Sequence, residues 1–414
     1  MAATPPRNAV LVIGAGIVGL CCARALHRDG HQVTVIDRDP AGDKASFGNA
    51  GGLGVTEIVP ASGPGVIWHV PRWLLDPLGP LSISPWHLPH LLPWLARFVR
   101  SGAPAEVERI AGALAALLAR VYDDMVPLLS ELGLGSALHR VGALWVYESE
   151  AGFARDAAAH ALRRRHGIAV ETISAGDARV LEPSLGEIVS HAVVTPQWSH
   201  VSDPKRIVDQ LRGWLIAQGV GIRAEEAVGI DVDEVITRSG ERVRFDALVV
   251  AAGAWSGRIV RWLGDKALIE SERGYNATLP APAVALSREV IFAERQFVAT
   301  PLACGLRIGG AAEFAGLAAP ARWRRADALL TLARRYLPGL ETQGAVRWMG
   351  QRPTTPDSLP VLGRSPRREG VFYAFGHGHL GFTLGPTTGR IVADLIAARP
   401  PSIDLAPYRI ARFG

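Results

Sequence analysis

The 414 residues suffice for two or more domains with cores of their own. A content of 48% hydrophobic and 20% charged residues is ordinary for a globular chain and excludes a disordered or fibrous one. Lys and Arg number 44 against 39 Asp and Glu; this net +5 is too diffuse for nucleic acid, though it suits acidic ligands or a membrane surface.

The three cysteines, Cys21, Cys22 and Cys304, have neither metal-ligand spacing nor the look of a disulfide framework, so a reducing cytosol and no metal are expected. The opening MAATPPRNAVLVIGAG lacks a basic region followed by a cleavable apolar stretch, so no secretion signal is expected. No run of about 18 apolar residues suggests a spanning helix.

In chain order, Ala9 to Ile13 (AVLVI) reads as a short buried strand. Gly14-Ala15-Gly16-Ile17-Val18-Gly19 follows at once and opens a helix ending near Gly30. A second strand, Gln32 to Ile36, leads to Asp37, with Arg38 next. Gly14 permits the tight turn, Gly16 lets a pyrophosphate approach the backbone, and Gly19 lets the helix lie close to the sheet. The helix N-terminus offers unpaired N–H groups to phosphates, and Asp37 is placed to accept from a ribose diol. This context makes the glycine pattern specific for a dinucleotide without deciding which one.

Next comes SFGNAGGLG, Ser46 to Gly54, whose four glycines permit close backbone approach to a ligand. Gly65 to Arg100 is rich in Trp, Leu and Pro, and its prolines forbid one long helix. Its Trp and Leu, with Arg72, Arg97 and Arg100, suit a membrane interface; packing inside a substrate domain is the blander and preferred reading. Helices are predicted over Glu106–Leu132 and Ala151–His166, with Arg163-Arg164-Arg165 as a solvated face. A strand is predicted over Val141–Tyr147, and Ser202-Asp203-Pro204 signals a helix start.

Leu215 to Asp233 reads as a helix end, strand and turn, and Phe245 to Gly257 as a strand, a glycine turn and a helix start. SERGYNATLP and LRIGGAAEFAG are strand-like. Near the C-terminus, GQRPTTPD precedes a strand at Val371–Phe375, the turn Gly376-His377-Gly378-His379-Leu380-Gly381, and a helix from Thr383 onward.

These blocks, spread from residue 9 to about 397, resemble FAD-dependent amine and amino-acid oxidoreductases of the glycine/D-amino-acid oxidase superfamily, with the closest look to the bacterial D-amino-acid dehydrogenases. The resemblance implies an α/β fold. A discontinuous Rossmann-type FAD domain (1–65, 201–263, 350–414) would carry an inserted α+β substrate domain (66–200, 264–349) on a mainly antiparallel sheet. It implies FAD contacts from Gly14 to Gly19, Asp37 and Arg38, and from Ser46, Asn49, Ala50, Gly51 and Gly52 beside the flavin ring. Val228 would meet the adenine side, with Ala252, Gly253 and Trp255 at a second nucleotide contact. Gly378, His379, Leu380, Gly381, Phe382 and Thr383 would bring a helix N-terminus to the pyrimidine edge, where it would stabilise the reduced ring. Some relatives attach flavin through a cysteine before the TPD turn; Gly350 stands here, so the FAD is expected to be noncovalent.

The implied reaction oxidises a D-amino acid, or a D-proline-type imino acid, by hydride transfer from the α-carbon to flavin N5, with electrons passing to a quinone or carrier. A glycine/sarcosine-type oxidase using O₂ and a non-catalytic electron-transfer flavoprotein subunit are the alternatives. Arg352 is the expected carboxylate anchor because its planar fork matches that group, the alternative being a salt bridge with Asp357. Tyr275 is the expected hydroxyl beside the carboxylate, or else a core tyrosine. His377 and His379 are candidates near flavin or substrate amine, or else bond only to backbone. Asn49 either faces the ligand or simply suits its turn.

Overall fold

The computed structural model describes residues 8–63 and 65–414; residues 1–7, part of the stretch read for a secretion signal, lie outside it. Ala9–Ile13, Ala247–Val250 and Val371–Phe375 are apolar throughout, so each needs cover on both faces. They form the centre of a six-stranded sheet. Its order is Gly221–Ala224, Gln32–Asp37, Ala9–Ile13, Ala247–Val250, Val371–Phe375 and Val361–Arg364, parallel except for the last strand. The helix Ile17–Arg28 packs against the C-terminal helix Gly381–Ile396. Their approach is so close that a Cβ at Gly389 would lie 2.4 Å from the Cys21 carbonyl oxygen. The C-terminal helix starts at Gly381, two residues before the expected Thr383.

A second, nine-stranded sheet is mainly antiparallel. From one edge it runs Val346–Thr354, Glu270–Leu279, Gly305–Phe314, Phe297–Leu302, Glu289–Phe292, Ala143–Tyr147, His191–Thr195 and Glu171–Ser174. Leu81–Ile83 adds in parallel to the strand Gly305–Phe314. The helix Arg324–Tyr336 covers one face through Ala326, Leu329, Leu330 and Ala333. The strand Val346–Thr354 crosses residue 350, where the sequence reading puts a domain boundary.

Two predicted helices are each split. Residues 106–132 form Pro104–Leu118 and Val121–Glu131. The second helix starts with Asp123 and Asp124 in its first turn, where acids complement the N-terminal dipole. Asp124 also pairs with Arg390 on the C-terminal helix. Both helices share one hydrophobic core with the helix Ile17–Arg28, although the sequence division assigns them to the inserted part. Residues 151–166 break at Asp156, which accepts a hydrogen bond from Tyr147. Arg163 is not on a solvated face: it is 4% exposed, stacks over Trp145 at 4.5 Å and pairs with Glu57 at 3.2 Å. Arg165 does face solvent and meets Glu108.

Between Gly65 and Arg100, Pro71, Pro89 and Pro93 sit inside two helices, Val66–Leu75 and Leu88–Ser101, and Pro77, Pro80 and Pro85 lie in the segment between them. Leu91 and Trp94 are buried, whereas Trp68, Leu75 and Trp86 are 82%, 83% and 91% exposed, so packing accounts for only part of the apolar stretch. Among the described residues no helix is long and apolar enough to cross a membrane.

Candidate active site

A cavity of about 1610 Å³ lies between the two sheets. Ligand pockets typically occupy about 300–1,000 Å³, so this one has room for a dinucleotide and a small substrate together.

At its first end, Gly14 has φ +115°, and a Cβ there would lie 2.4 Å from the Ala251 carbonyl oxygen. A Cβ on Gly19 would lie 1.9 Å from the Gly14 carbonyl oxygen. The turn and the helix approach therefore both exclude a side chain, leaving a backbone-lined cradle. The Ile17 N–H donates to Ser46 Oγ at 3.1 Å, tying the helix start to the second glycine-rich stretch. Asp37 accepts from the Ala15 N–H at 2.8 Å and pairs with Lys44 at 3.0 Å. Arg38 stacks on Trp255 at 4.2 Å.

Gly14, Gly16, Ile17, Val18, Asp37, Arg38, Ser46, Asn49, Ala50, Gly52, Ala252, Gly253, Trp255 and Gly378 to Thr383 all line this cavity. Four expected contacts stand behind its wall. Ala15 holds Asp37, Gly19 presses on Gly14, and Gly51 donates to Asn49 Oδ1 at 2.7 Å. At Val228 the wall is made instead by Glu226 and Ala227.

The loop Ser46–Gly54 lies over the second sheet. A Cβ on Gly48 would collide with the Trp348 ring, and the Gly54 N–H reaches Thr383 Oγ1 at 3.3 Å. Asn49 Oδ1 accepts the Gly51 N–H within its own turn, while the residue also lines the cavity.

Arg352 lines the cavity. Its Nη1 donates to Glu272 Oε1 at 2.7 Å and to the Ala311 carbonyl at 3.1 Å. Arg352 and Glu272 are register partners on neighbouring strands. The partner considered from sequence, Asp357, instead binds Arg412 at 2.8 Å. Among the described residues Arg352 Nε and Nη2 make no hydrogen bond.

Tyr275 departs from its expected place beside that arginine. Along its strand, Glu272, Gly274 and Asn276 alternate toward the cavity, while Arg273, Tyr275 and Ala277 pack on the opposite, buried side, with Tyr275 also bordering the cavity. There the Tyr275 hydroxyl donates to Glu313 at 2.5 Å and accepts from the Arg322 N–H at 3.0 Å. Glu313 in turn pairs with buried Arg273 at 3.1 Å.

His377 bonds Thr388 Oγ1 at 2.9 Å, and burial lowers its pKa to about 3, which keeps the ring neutral. His379 is exposed at the cavity wall.

Several residues at or behind the cavity wall were not singled out from sequence. Asn276 donates to the Gly48 carbonyl at 2.8 Å, and Arg307 to the Asn49 carbonyl at 2.6 Å. Buried Glu289 accepts from Trp198 Nε1 at 2.8 Å, and burial raises its pKa to about 7. Strand alternation from Glu272 was a readable signal for Asn276. Arg307 and Glu289 carried none, because their partners lie more than 200 and 90 positions away in the chain.

Relatives match this chain along nearly its whole length. A D-amino-acid oxidase of Bradyrhizobium diazoefficiens is 35% identical, covering 99% of this chain and 100% of the relative. A D-amino acid dehydrogenase 2 of Ralstonia nicotianae is 33% identical, covering 97% and 100%. The crystal structure of glycine oxidase from Geobacillus kaustophilus superposes with a TM-score of 0.75 at 25% identity, covering 98% of this chain and 99% of that one. The family model described as FAD dependent oxidoreductase matches residues 9–395. With the glycine cradle, the helix N-terminus and the inter-sheet cavity already in place for the cofactor, the chain belongs to the DAO family of FAD-dependent oxidoreductases.

Proposed function

We propose that the protein dehydrogenates D-amino acids, including cyclic imino acids of the D-proline class, to imines that water converts to keto acids. The observation that carries this reading is the full-length similarity to proteins named D-amino-acid oxidase and D-amino acid dehydrogenase. Bound FAD supplies the two-electron acceptor. The chain's own part is to bind and orient. Arg352 offers the unbonded edge of its guanidinium to the substrate carboxylate, while Glu272 holds the other edge and fixes the fork. The neutral amine then drives loss of the α-hydrogen, and no protein base at the carbon is required.

The acceptor we favour is a membrane quinone or a carrier. Trp68, Leu75 and Trp86 stand exposed on segments whose inner residues Val70, Trp73 and Phe98 line the cavity. Over residues 65–103 Asp76 is the only acid against Arg72, Arg97 and Arg100. Such a surface suits peripheral docking on an anionic bilayer, here the cytoplasmic face of the inner membrane. The decisive experiment mixes purified holoenzyme anaerobically with both enantiomers of a panel of amino acids and proline derivatives. Bleaching by D-forms supports the reading; bleaching by glycine or sarcosine alone favours the amine-oxidase alternative, and no bleaching favours an electron-transfer subunit. Oxygen uptake that matches the dye-linked rate would remove the quinone.

A further inference from the structure

The loop Ser46–Gly54 has no regular structure until Gly52, yet its carbonyls are held. Asn276 Nδ2 takes the Gly48 carbonyl at 2.8 Å. Arg307 Nη1 takes the Asn49 carbonyl at 2.6 Å and approaches that of Phe47 at 3.5 Å. Both donors rise from the face of the second sheet, on adjacent strands, and Arg307 Nε is itself fixed by Thr278 Oγ1 at 2.9 Å. Among the described residues Arg307 has no carboxylate partner, so its charge is spent on these backbone oxygens.

A trans peptide points its C=O and its N–H in opposite directions. Pulling the Asn49 carbonyl toward the sheet therefore turns the Ala50 N–H away from it, and pulling the Phe47 carbonyl does the same for the Gly48 N–H. Neither N–H has an acceptor among the described residues, and both residues line the cavity. Gly48 is buried and Ala50 half-buried, and an N–H shielded from water without a partner is costly, which points to a ligand atom that completes it. Asn276 Oδ1 is likewise buried and unpartnered.

We infer that Arg307 and Asn276 are positioning residues which clamp the carbonyls of this loop so that its amides at Gly48 and Ala50 are aimed at the flavin, with the Arg307 charge polarising them toward a ring that becomes negative. Neither residue touches the substrate in this role. The inference rests on the cofactor assignment, not on the choice of substrate. Fixed donors that already point at a developing charge need no reorganisation when the charge arrives, which is why their orientation matters more than their number.

Sulfite provides a probe free of turnover. Its sulfur lone pair forms a bond to flavin N5, no bond to a leaving group breaks, and the ring takes up the negative charge. The adduct therefore reports how well the site stabilises charge there. We expect Arg307→Met holoenzyme to bind sulfite at least tenfold more weakly than the parent, with a lower flavin midpoint potential. Arg307→Lys, which keeps a charge under the loop, should recover most of that loss. Thermal melting of each holoenzyme separates this effect from unfolding. A sulfite Kd within twofold of the parent in Arg307→Met overturns the inference. If Arg307→Met purifies without flavin, Asn276→Ala decides: a weakened sulfite Kd and altered flavin absorption bands support the clamp, and unchanged values overturn it. Failure of this test leaves the D-amino-acid reading intact, since that reading stands on substrate-dependent bleaching.

Discussion

The two ends of the cavity are built in different ways. The nucleotide end is built around one short run, Ala9 to Asp37, in which strand, turn, helix and strand follow directly and Gly19 is forced by the Gly14 carbonyl close by in the chain. The opposite end is a sheet face assembled from residues scattered between Glu272 and Arg352, where inward or outward direction depends on strand alternation and on a register shift between Arg273 and Tyr275. Local chemistry governs the first end and long-range register the second. A substitution at the first should therefore abolish cofactor binding as a unit, whereas substitutions at the second should be separable.

Gly19→Ala tests the first half of this contrast and should have the largest effect. The new methyl would meet the Gly14 carbonyl at 1.9 Å, and backbone cannot move aside as a side chain can. Overpacking costs roughly 1–3 kcal/mol or more. The purified protein should be nearly colourless and melt well below the parent, as read from the flavin-to-protein ratio and thermal unfolding. A normally yellow variant would mean the helix can retreat from the sheet.

Glu289→Gln, at the sheet end, should change pH dependence and leave FAD in place. Burial raises the Glu289 pKa from the ordinary 4.5 to about 7, so between those values the folded protein keeps a proton that the unfolded chain has lost. Its contribution to stability is complete below about pH 4.5 and declines as pH rises toward 7. The full change is on the order of 3 kcal/mol. The glutamine variant lacks this decline, so its stability relative to the parent should climb with pH and level off above 7. His377 has the opposite sign: its pKa is lowered to about 3, so stability falls as pH drops below about 6.5. Comparing variant and parent at each pH isolates Glu289 from this background. A constant difference across pH 4.5–7 would show that Glu289 is ionised in the folded state.

The same contrast explains what the sequence could reveal. Ala9–Ile13, the strand ending at Asp37 and the Asp203 cap at Pro204 were legible because their signals are contiguous. The cap is visible directly, Asp203 accepting from the Arg206 N–H at 2.9 Å. The partner of Arg352 was not legible: Asp357 is near in the chain, but Glu272 is opposite in register. Arg163 was misread as part of a charged run, although His160 and Arg163 share one helix face at i,i+3 spacing and both are buried. Tyr275 was chosen as a residue type in a motif, and alternation from Glu272 would have shown that Asn276 shares the Glu272 face and the Tyr275 hydroxyl does not. Arg307 binds a loop about 258 positions away, and no local pattern announces such a pairing.

Arg352→Lys is the next test in size. Lysine keeps a charge opposite Glu272 but loses the planar fork. If the free edge of Arg352 receives the substrate carboxylate, the apparent KM should rise about tenfold or more, an effect of about 1.4 kcal/mol, while flavin content and absorption stay the same. An unchanged KM would confine Arg352 to holding Glu272 and would move the carboxylate anchor elsewhere on the sheet.

Tyr275→Phe should affect turnover least, and it divides the two faces of one strand. The hydroxyl belongs to a buried group with Glu313, Arg273 and the Arg322 N–H. Removing it takes a donor from a buried carboxylate and leaves the Arg322 N–H without its acceptor, at a cost of about 1–3 kcal/mol in stability. Because the hydroxyl is engaged with buried Glu313 and not with Arg352, kcat and KM should stay within about twofold of the parent at temperatures well below melting. Asn276→Ala, one residue along and on the other face, should reverse this pattern, with modest loss of stability and a clear change in flavin absorption. A Tyr275→Phe variant with a strongly raised KM and parental stability would mean that the strand presents its other face to substrate during the reaction, and the division between a cofactor face and a structural face would fail.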